Sequence, residues 1–491
     1  MCYKVTVSGL KLKLAMLALA ALVCAFYLST LRPGQVWMDD YAQYVLHAAN
    51  IADGKPYKLP GYIFNPDYQY TGPATYPPVF PLLLAPVYKI YGFDLQAMKA
   101  ETVLFFSAFL CVLFLLFREG LPGAAPLIIA GLVGLNPVFW KFKDYLYSEY
   151  PFLFFSFAAL YVYGRARAAE DSGGAWRRPA FAAGLLACLA YGTRTAGALL
   201  LPAFILADLL SGRGISKTFI FVLITAAVPA AAQNIFVHSD AVYLQQARAW
   251  FKDTSFFTVV YNNLRDYPGR FAMLFENGYE RTAAWELLAA IFALSVAGIA
   301  ALKRKTGLIE TYTAINILFI LACPAADGLR YGFMLVPPLF YYAFLGWNAC
   351  AVKAGRAARY GGPALLLLTL ASYGGVYSKA NYGSFKEGTE KSETKQLFEY
   401  VSDHTLPGNI IIFRKPRTLL LYTGRASSMY QLGGGDDKLL AYFKKLGAGY
   451  LITGSVFPED VSFLQPFVGR NAKFFRQLYA NPDFRVYQIL Q

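Results

Sequence analysis

The sequence predicts a mainly α-helical, polytopic membrane bundle of about eleven spans, with a small α/β domain at its C-terminus. Three observations carry that reading. Of 491 residues, 57% are hydrophobic and only 15% are charged, against roughly 25% charged in a soluble protein. Apolar stretches of membrane-spanning length recur from Leu10 to Tyr377, with charge clusters between them. After Ser384 the composition turns ordinary, so residues 1–383 form the membrane domain and 384–491 the soluble tail.

Lys4, Lys11 and Lys13 precede the first apolar core, Leu14–Leu31. That core exceeds the about 7–15 residues of a signal peptide, and no clean small-x-small cleavage site follows, so it reads as a retained span. Including it, the expected spans are 10–31, 97–117, 121–140, 149–164, 180–193, 196–210, 217–237, 284–302, 308–323, 331–350 and 363–378. Short loops rich in Lys and Arg stay in the cytoplasm. With the N-terminus inside, every second loop is basic: Arg118; Arg165, Arg167, Arg177 and Arg178; Arg213 and Lys217; Lys303, Arg304 and Lys305; Lys353, Arg356 and Arg359. Residues 180–210 are too short for two full spans and must leave and return as a tight helix pair, with "YGTRTAG" (191–197) at the turn. Residues 79–91 are also too short to cross and form a helix at the outer interface. Eleven spans then place the tail outside.

Composition excludes several classes. Six cysteines are scattered and none lies in the tail, so there is neither a disulfide framework nor zinc-like spacing. The net charge of +15 resides in cytoplasmic loops, which argues against nucleic acid. The "GGG" at 433–435 lacks a following Lys-Ser/Thr, and no Gly-rich phosphate loop precedes a soluble helix. The tail reads as strands at 409–413, 419–424, 449–454, 474–479 and 484–489, with a helix at 436–447 and a helical stretch near 459–468. It shows no catalytic constellation and suggests a binding or docking role.

The polar residues of the membrane domain gather on the outer side. Asp39 and Asp40 open an amphipathic helix; adjacent carboxylates near lipid repel, and one raised pKa would suit a general base. The alternative is ordinary helix N-terminal charge. Tyr44 and His47 follow on that helix, and Tyr76 lies in the Tyr-rich loop "GYIFNPDYQYTGPATYPP" (61–78). Aromatics with polar tips suit sugars or interfacial belts. Glu149 begins an apolar span, where an ionisable side chain is costly and points to function, unless it serves as helix N-terminal charge with Ser148 as cap. Asp144 lies close by, beside Lys141 and Lys143, which could neutralise these acids or bind phosphate. Arg194 sits at the turn of the short helix pair and Arg330, followed by Tyr331, at the mouth of "LRYGFMLVPPLF". An arginine there either snorkels to headgroups or bonds a phosphate. His47, His238 and His404 are the only histidines, and no spacing assembles a metal site from them.

The motifs "DDYAQYVLHAANIADGKPY", "TYPPVFPLLLAPVYKIYG", "YSEYPFLFF", "YGTRTAGALLLPA" and "RYGFMLVPPLFYY", in this order and on one face, resemble the GT-C superfamily of integral-membrane glycosyltransferases. The resemblance covers nearly the whole chain and is to the bacterial branch similar to protein O-mannosyltransferases and lipid A aminoarabinose transferases. It implies a polyprenyl-phosphate-linked sugar donor, an extracytoplasmic glycan, lipid or protein acceptor, and a bacterial inner membrane with the tail periplasmic. Asp39 matches the family's catalytic aspartate and Asp40 the acidic residue after it. Glu149 falls at a second acidic position, and Arg194 and Arg330 where basic residues meet the donor phosphate. Lys141 and Lys143 join that phosphate group, and Tyr44, His47, Tyr76, Asp144 and Tyr331 the substrate contacts. No cofactor is required by these residues, and a divalent metal stays open. The rivals are a transporter or flippase, and a non-catalytic relative that binds the lipid carrier.

Overall fold

A computed structural model describes residues 9–59, 61–67, 73, 75–212, 214–237, 251, 254–276, 281–302, 307–324, 328–353 and 355–490. Lys4, Arg213, His238, Lys303, Arg304, Lys305 and, within the loop 238–283, residues 238–250, 252–253 and 277–280 lie outside the described residues. The bundle begins with α1 (Gly9–Ser29), α2 (Asp40–Ala52), the two-residue strand β1 (Tyr62–Ile63) and α3 (Val79–Tyr91). It continues through α4 (Leu95–Phe117), α5 (Ala125–Gly134), α6 (Pro137–Phe142), α7 (Glu149–Asp171), α8 (Arg177–Thr193) and α9 (Leu200–Leu210). After these come α10 (Lys217–Val237), α11 (Phe256–Ala272), α12 (Arg281–Ala300), α13 (Leu308–Ala322), α14 (Val336–Lys353) and α15 (Gly355–Lys379). Among the described residues, five helical segments are long and apolar enough to cross a membrane: Gly9–Ser29, Leu95–Phe117, Lys217–Ile235, Thr282–Ala300 and Arg330–Val352. The protein is an integral membrane protein. The other expected spans are helices that are shorter or less apolar.

Local sequence explains the boundaries. Asp94 caps α4 by accepting from the backbone N–H groups of Gln96 (2.8 Å) and Ala97 (3.1 Å). The expected span 121–140 is not one helix: Asn136 caps a new turn that starts at Pro137, because proline cannot continue the preceding hydrogen-bond ladder. The pair at 180–210 folds as expected. Arg194 is extended (φ −148°, ψ 136°), a 3-10 turn at Thr195–Leu199 follows, and a Cβ at Gly197 would collide with the backbone of Ala190 and Tyr191.

The tail contributes α16 (Ser392–His404), β2 (Ile410–Ile412), α17 (Pro416–Thr423), β3 (Ala426–Ser428), α18 (Asp436–Leu446), β4 (Ala448–Gly454), α19 (Gln465–Arg470), β5 (Phe475–Ala480) and β6 (Phe484–Ile489). The expected strand at 419–424 is instead helix α17. Pro416 occupies its first turn, where a missing N–H costs nothing, and Gly424 closes it in the left-handed conformation (φ 67°). A six-stranded sheet runs β1-β3-β2-β4-β6-β5, parallel from β1 to β4 and antiparallel beyond. Its edge strand β1 comes from the N-terminal loop, with Tyr62 opposite Ser427.

That loop is stitched to the tail elsewhere as well. The indole of Trp37 lies among Phe398, Phe413, Phe457 and Phe484, with ring centroids 5.3–6.4 Å away. Thr389 donates its backbone N–H to the Gln35 carbonyl (2.9 Å), and Asn65 Nδ2 donates to the Met429 carbonyl (2.8 Å). Segments far apart in sequence therefore share one hydrophobic core.

Candidate active site

The site lies where α2, the start of α7, the turn after α8, the 3-10 turn Arg330–Leu335 and α17 meet. Glu149, on the first turn of α7, has a side chain only 3% exposed. One carboxylate oxygen, Oε1, accepts from both Arg194 NH1 and Arg330 Nε, each at 2.6 Å. The other, Oε2, is buried without a hydrogen-bond partner among the described residues. A buried carboxylate requires such compensation, because desolvation of an unpaired charge is prohibitive. Arg194 also lies over the ring of Tyr331 (5.5 Å) and Arg330 over that of Tyr147 (4.0 Å). A narrow cleft beside this triad is lined by Phe152, Phe319, Met334 and Asn316 together with Glu149 and both arginines.

Arg330 reaches onward to Asp40 Oδ2 (3.5 Å). Asp40 Oδ1 accepts the Tyr76 hydroxyl (2.7 Å) and faces Arg417 NH2 at 3.5 Å. Burial would raise the Asp40 carboxyl, but Arg417 foremost, then Arg330 and the Tyr76 hydroxyl, hold it below its ordinary value. The expected rise from like-charge repulsion is therefore overturned, since guanidinium groups flank the pair. Asp40 remains 27% exposed.

Asp39 is engaged differently. Its Oδ2 accepts from Arg417 Nε (2.8 Å) and the Arg417 backbone N–H (3.3 Å), and its Oδ1 from the backbone N–H and hydroxyl of Thr418 (both 2.9 Å). Arg417 and Thr418 are the second and third residues of α17, so Asp39 caps that helix from a remote part of the chain. Four donors fill the four acceptor positions of a carboxylate. Arg417 also donates to Gln43 Oε1 (2.5 Å) and the Tyr76 hydroxyl (3.1 Å). Sequence reading missed Arg417. The only signal available was the basic run "FRKPR", which has no local acidic partner.

The remaining expected residues divide. Tyr44 belongs to the site, with its hydroxyl 3.3 Å from Ser148 Oγ and its ring 4.9 Å from that of Tyr76. His47 backs it: its Nδ1 lies 2.7 Å from the Tyr57 carbonyl, and its ring stacks on Tyr57 at 4.1 Å. Burial drives its pKa down to about 3, so it is a neutral support near pH 7. Lys143 and Asp144 are not brought to the cluster. They pair with each other at 2.9 Å, and Asp144 also accepts the Arg32 backbone N–H (2.9 Å), which anchors the loop after α1. Lys141 is exposed.

Among the described residues, no group of three or more His, Cys, Asp or Glu side chains could hold a metal ion. Each carboxylate of the cluster has a guanidinium beside it, so the donor set does not fit a divalent cation as it stands.

The sequence matches no family model and no curated protein. Solved structures do match. Oligosaccharyltransferase AglB from Archaeoglobus fulgidus, in complex with an inhibitory peptide and a dolichol-phosphate, superposes with a TM-score of 0.62 at 13% identity, over 90% of this chain and 69% of that one. ArnT from Cupriavidus metallidurans bound to undecaprenyl phosphate gives 0.59 at 12% identity, over 98% of both chains. This chain shares the fold of these membrane proteins. Mycobacterial arabinofuranosyltransferase AftD gives 0.58 at 12% identity, over 97% of this chain and 41% of its own. Another Archaeoglobus oligosaccharyltransferase structure, in complex with zinc and sulfate, gives 0.59 at 13% identity, over 97% of this chain and 73% of that one. On this shared fold, Asp40, Glu149, Arg194, Arg330 and Arg417 lie at the junction of bundle and tail.

Proposed function

We propose that the chain is an inverting glycosyltransferase that moves a sugar from a polyprenyl-phosphate donor to a cell-envelope acceptor outside the cytoplasm. The observation that carries this is the three carboxylates and three arginines converging beside an apolar cleft, at the junction of a helical bundle and a water-exposed tail. The likeness to structures holding dolichol-phosphate and undecaprenyl phosphate supports a lipid phosphate as donor carrier. In this reading eleven segments cross the bacterial inner membrane, residues 1–383 and 384–491 are its two parts, and the tail is periplasmic.

Asp40 is the proton acceptor, in place of the fully occupied Asp39. The acceptor hydroxyl oxygen attacks the anomeric carbon, its proton passes to Asp40 Oδ2, and the bond from that carbon to the phosphate oxygen breaks with inversion. Arg194 and Arg330 use donors beyond those given to Glu149 to stabilise the charge on the departing phosphate. Glu149 holds the two forks in place, and Tyr44, Tyr76 and Tyr331 shape the sugar's surroundings.

The test is transfer of radiolabelled sugar from a panel of polyprenyl-phosphate donors to envelope extract, with purified wild type beside Asp40→Asn. Transfer by wild type, lost in a folded Asp40→Asn protein, supports the reading. Equal transfer by both removes Asp40 as base, and binding of lipid without transfer from any donor sinks the enzymatic assignment.

A further inference from the structure

Between Lys217–Ile235 and Thr282–Ala300, both long and apolar enough to cross a membrane, lies α11. This helix carries apolar side chains on the side turned away from the protein. Phe257, Tyr261 and Leu264 are 81%, 65% and 55% exposed. Their i, i+4, i+7 spacing, continued by the exposed Pro268, sets them in one stripe. The buried side holds Val259, Asn263 and Tyr267. Single exposed apolar residues need no explanation, but a continuous stripe marks an interaction site.

The buried side fixes where the stripe lies. Asn263 Nδ2 donates to the carbonyls of Ile320 (3.1 Å), Leu321 (3.1 Å) and Cys323 (2.8 Å), acceptors left over at the C-terminal end of α13. At the other end of α11, Arg270 NH1 donates to the Gly328 carbonyl (3.2 Å), and a Cβ on Gly332 would stand 3.2 Å from the Phe271 ring. The helix is thus fastened across the rim of the bundle at the end that bears Arg330. Exposed apolar surface adjoins it there. Ile317 and Leu318 are exposed on α13, a turn from the carbonyls that Asn263 engages. On α12, Trp285 lies 3.8 Å from where a Cβ on Gly269 would be, and it opens an exposed row with Phe292 and Val296 along the membrane-crossing segment.

We infer that α11 is a lipid-surface helix, with Phe257, Tyr261 and Leu264 sunk into the boundary between headgroups and acyl chains on the side of the membrane that the site faces. Such helices bury their apolar side about 5–10 Å into that boundary. Lipid is the occupant because the stripe adjoins rows that are themselves lipid-facing. The edges of the stripe suit the same boundary. The Tyr261 ring is apolar with a polar tip, and Arg265, paired with Asp266 at 2.9 Å, lays its stem along apolar surface while its head stays in water. The site gains a fixed height from this: Gly328 and Gly332 flank Arg330, and both are held by a helix whose depth the bilayer sets.

Photo-crosslinking of the full chain in nanodiscs of phosphatidylcholine and phosphatidylglycerol tests it. The photoreactive residue p-benzoylphenylalanine replaces, one at a time, Phe257, Tyr261, Leu264 and, on the tail, Lys473, and mass spectrometry reads the adducts formed on illumination. Phospholipid adducts are expected at the three α11 positions and not at Lys473, in proteins that melt as wild type does. Absence of phospholipid adducts at all three overturns the inference. Cross-links between two copies of the chain at these positions overturn it as well, since the stripe would then be a protein contact. The three positions are exposed and tested singly, so misfolding of one variant leaves the other two to decide.

Discussion

Adjacent in sequence, Asp39 and Asp40 have separate duties. Asp39 spends both oxygens on the tail, whereas Asp40 remains 27% exposed. Asp40→Asn is therefore expected to lower transfer by about 10²–10⁴-fold with melting unchanged. Asp39→Ala removes the nearer of the two carboxylates beside the buried Arg417 and the cap of α17, and is expected to cost about 3–5 kcal/mol, seen as easier proteolysis of the tail. Because Asp40 is held below its ordinary value of 3.8, the acid limb of transfer should show no loss from this group above about pH 5. His47 sets a different window. Its folded pKa of about 3 lies below the ordinary 6.5, so the unfolded chain binds more protons between them, and stability falls as pH drops through that range. Thermal melts should show this slope in wild type and lose it in His47→Asn. Glu149, Arg194 and Arg330 were legible in the sequence because charge at the end of an apolar run is costly enough to need a reason. Arg417 was not, since its partners lie more than 340 residues away.

At the scale of elements, α17 shows where sequence reading stops. "LLLYTG" is an apolar run too short to separate strand from helix by periodicity. What decides the matter is Pro416 before it and an N-terminal cap supplied by Asp39 from across the fold. The other tail elements expected from the sequence matched, because each carries its own alternation or its own flanking glycine. Trp37 plays the reciprocal part by completing the tail's core from the N-terminal loop. Trp37→Ala is expected to cost about 3–5 kcal/mol, measured as a lower melting temperature for the tail transition. Within the bundle, α12 and α14 meet through glycines: a Cβ on Gly346 would strike the Leu294 carbonyl, and one on Gly298 the Tyr342 carbonyl. Gly346→Leu should therefore separate these helices and reduce the yield of folded protein extracted from membranes.

For the whole molecule, contacts cross the change of composition at 383/384. The sheet includes β1, and the site includes Arg417. A chain ending at residue 383 is expected to reach the membrane yet bind no undecaprenyl phosphate. Side-specific labelling checks the proposed orientation: a membrane-impermeant maleimide should reach Lys473→Cys from outside intact spheroplasts. The remote cap on α17 has a bearing on biosynthesis too. Asp39 leaves the ribosome early, and the two residues that engage it follow 378 and 379 positions later. Until residue 417 has been made Asp39 lacks its guanidinium partner, so a shorter nascent chain cannot assemble the centre.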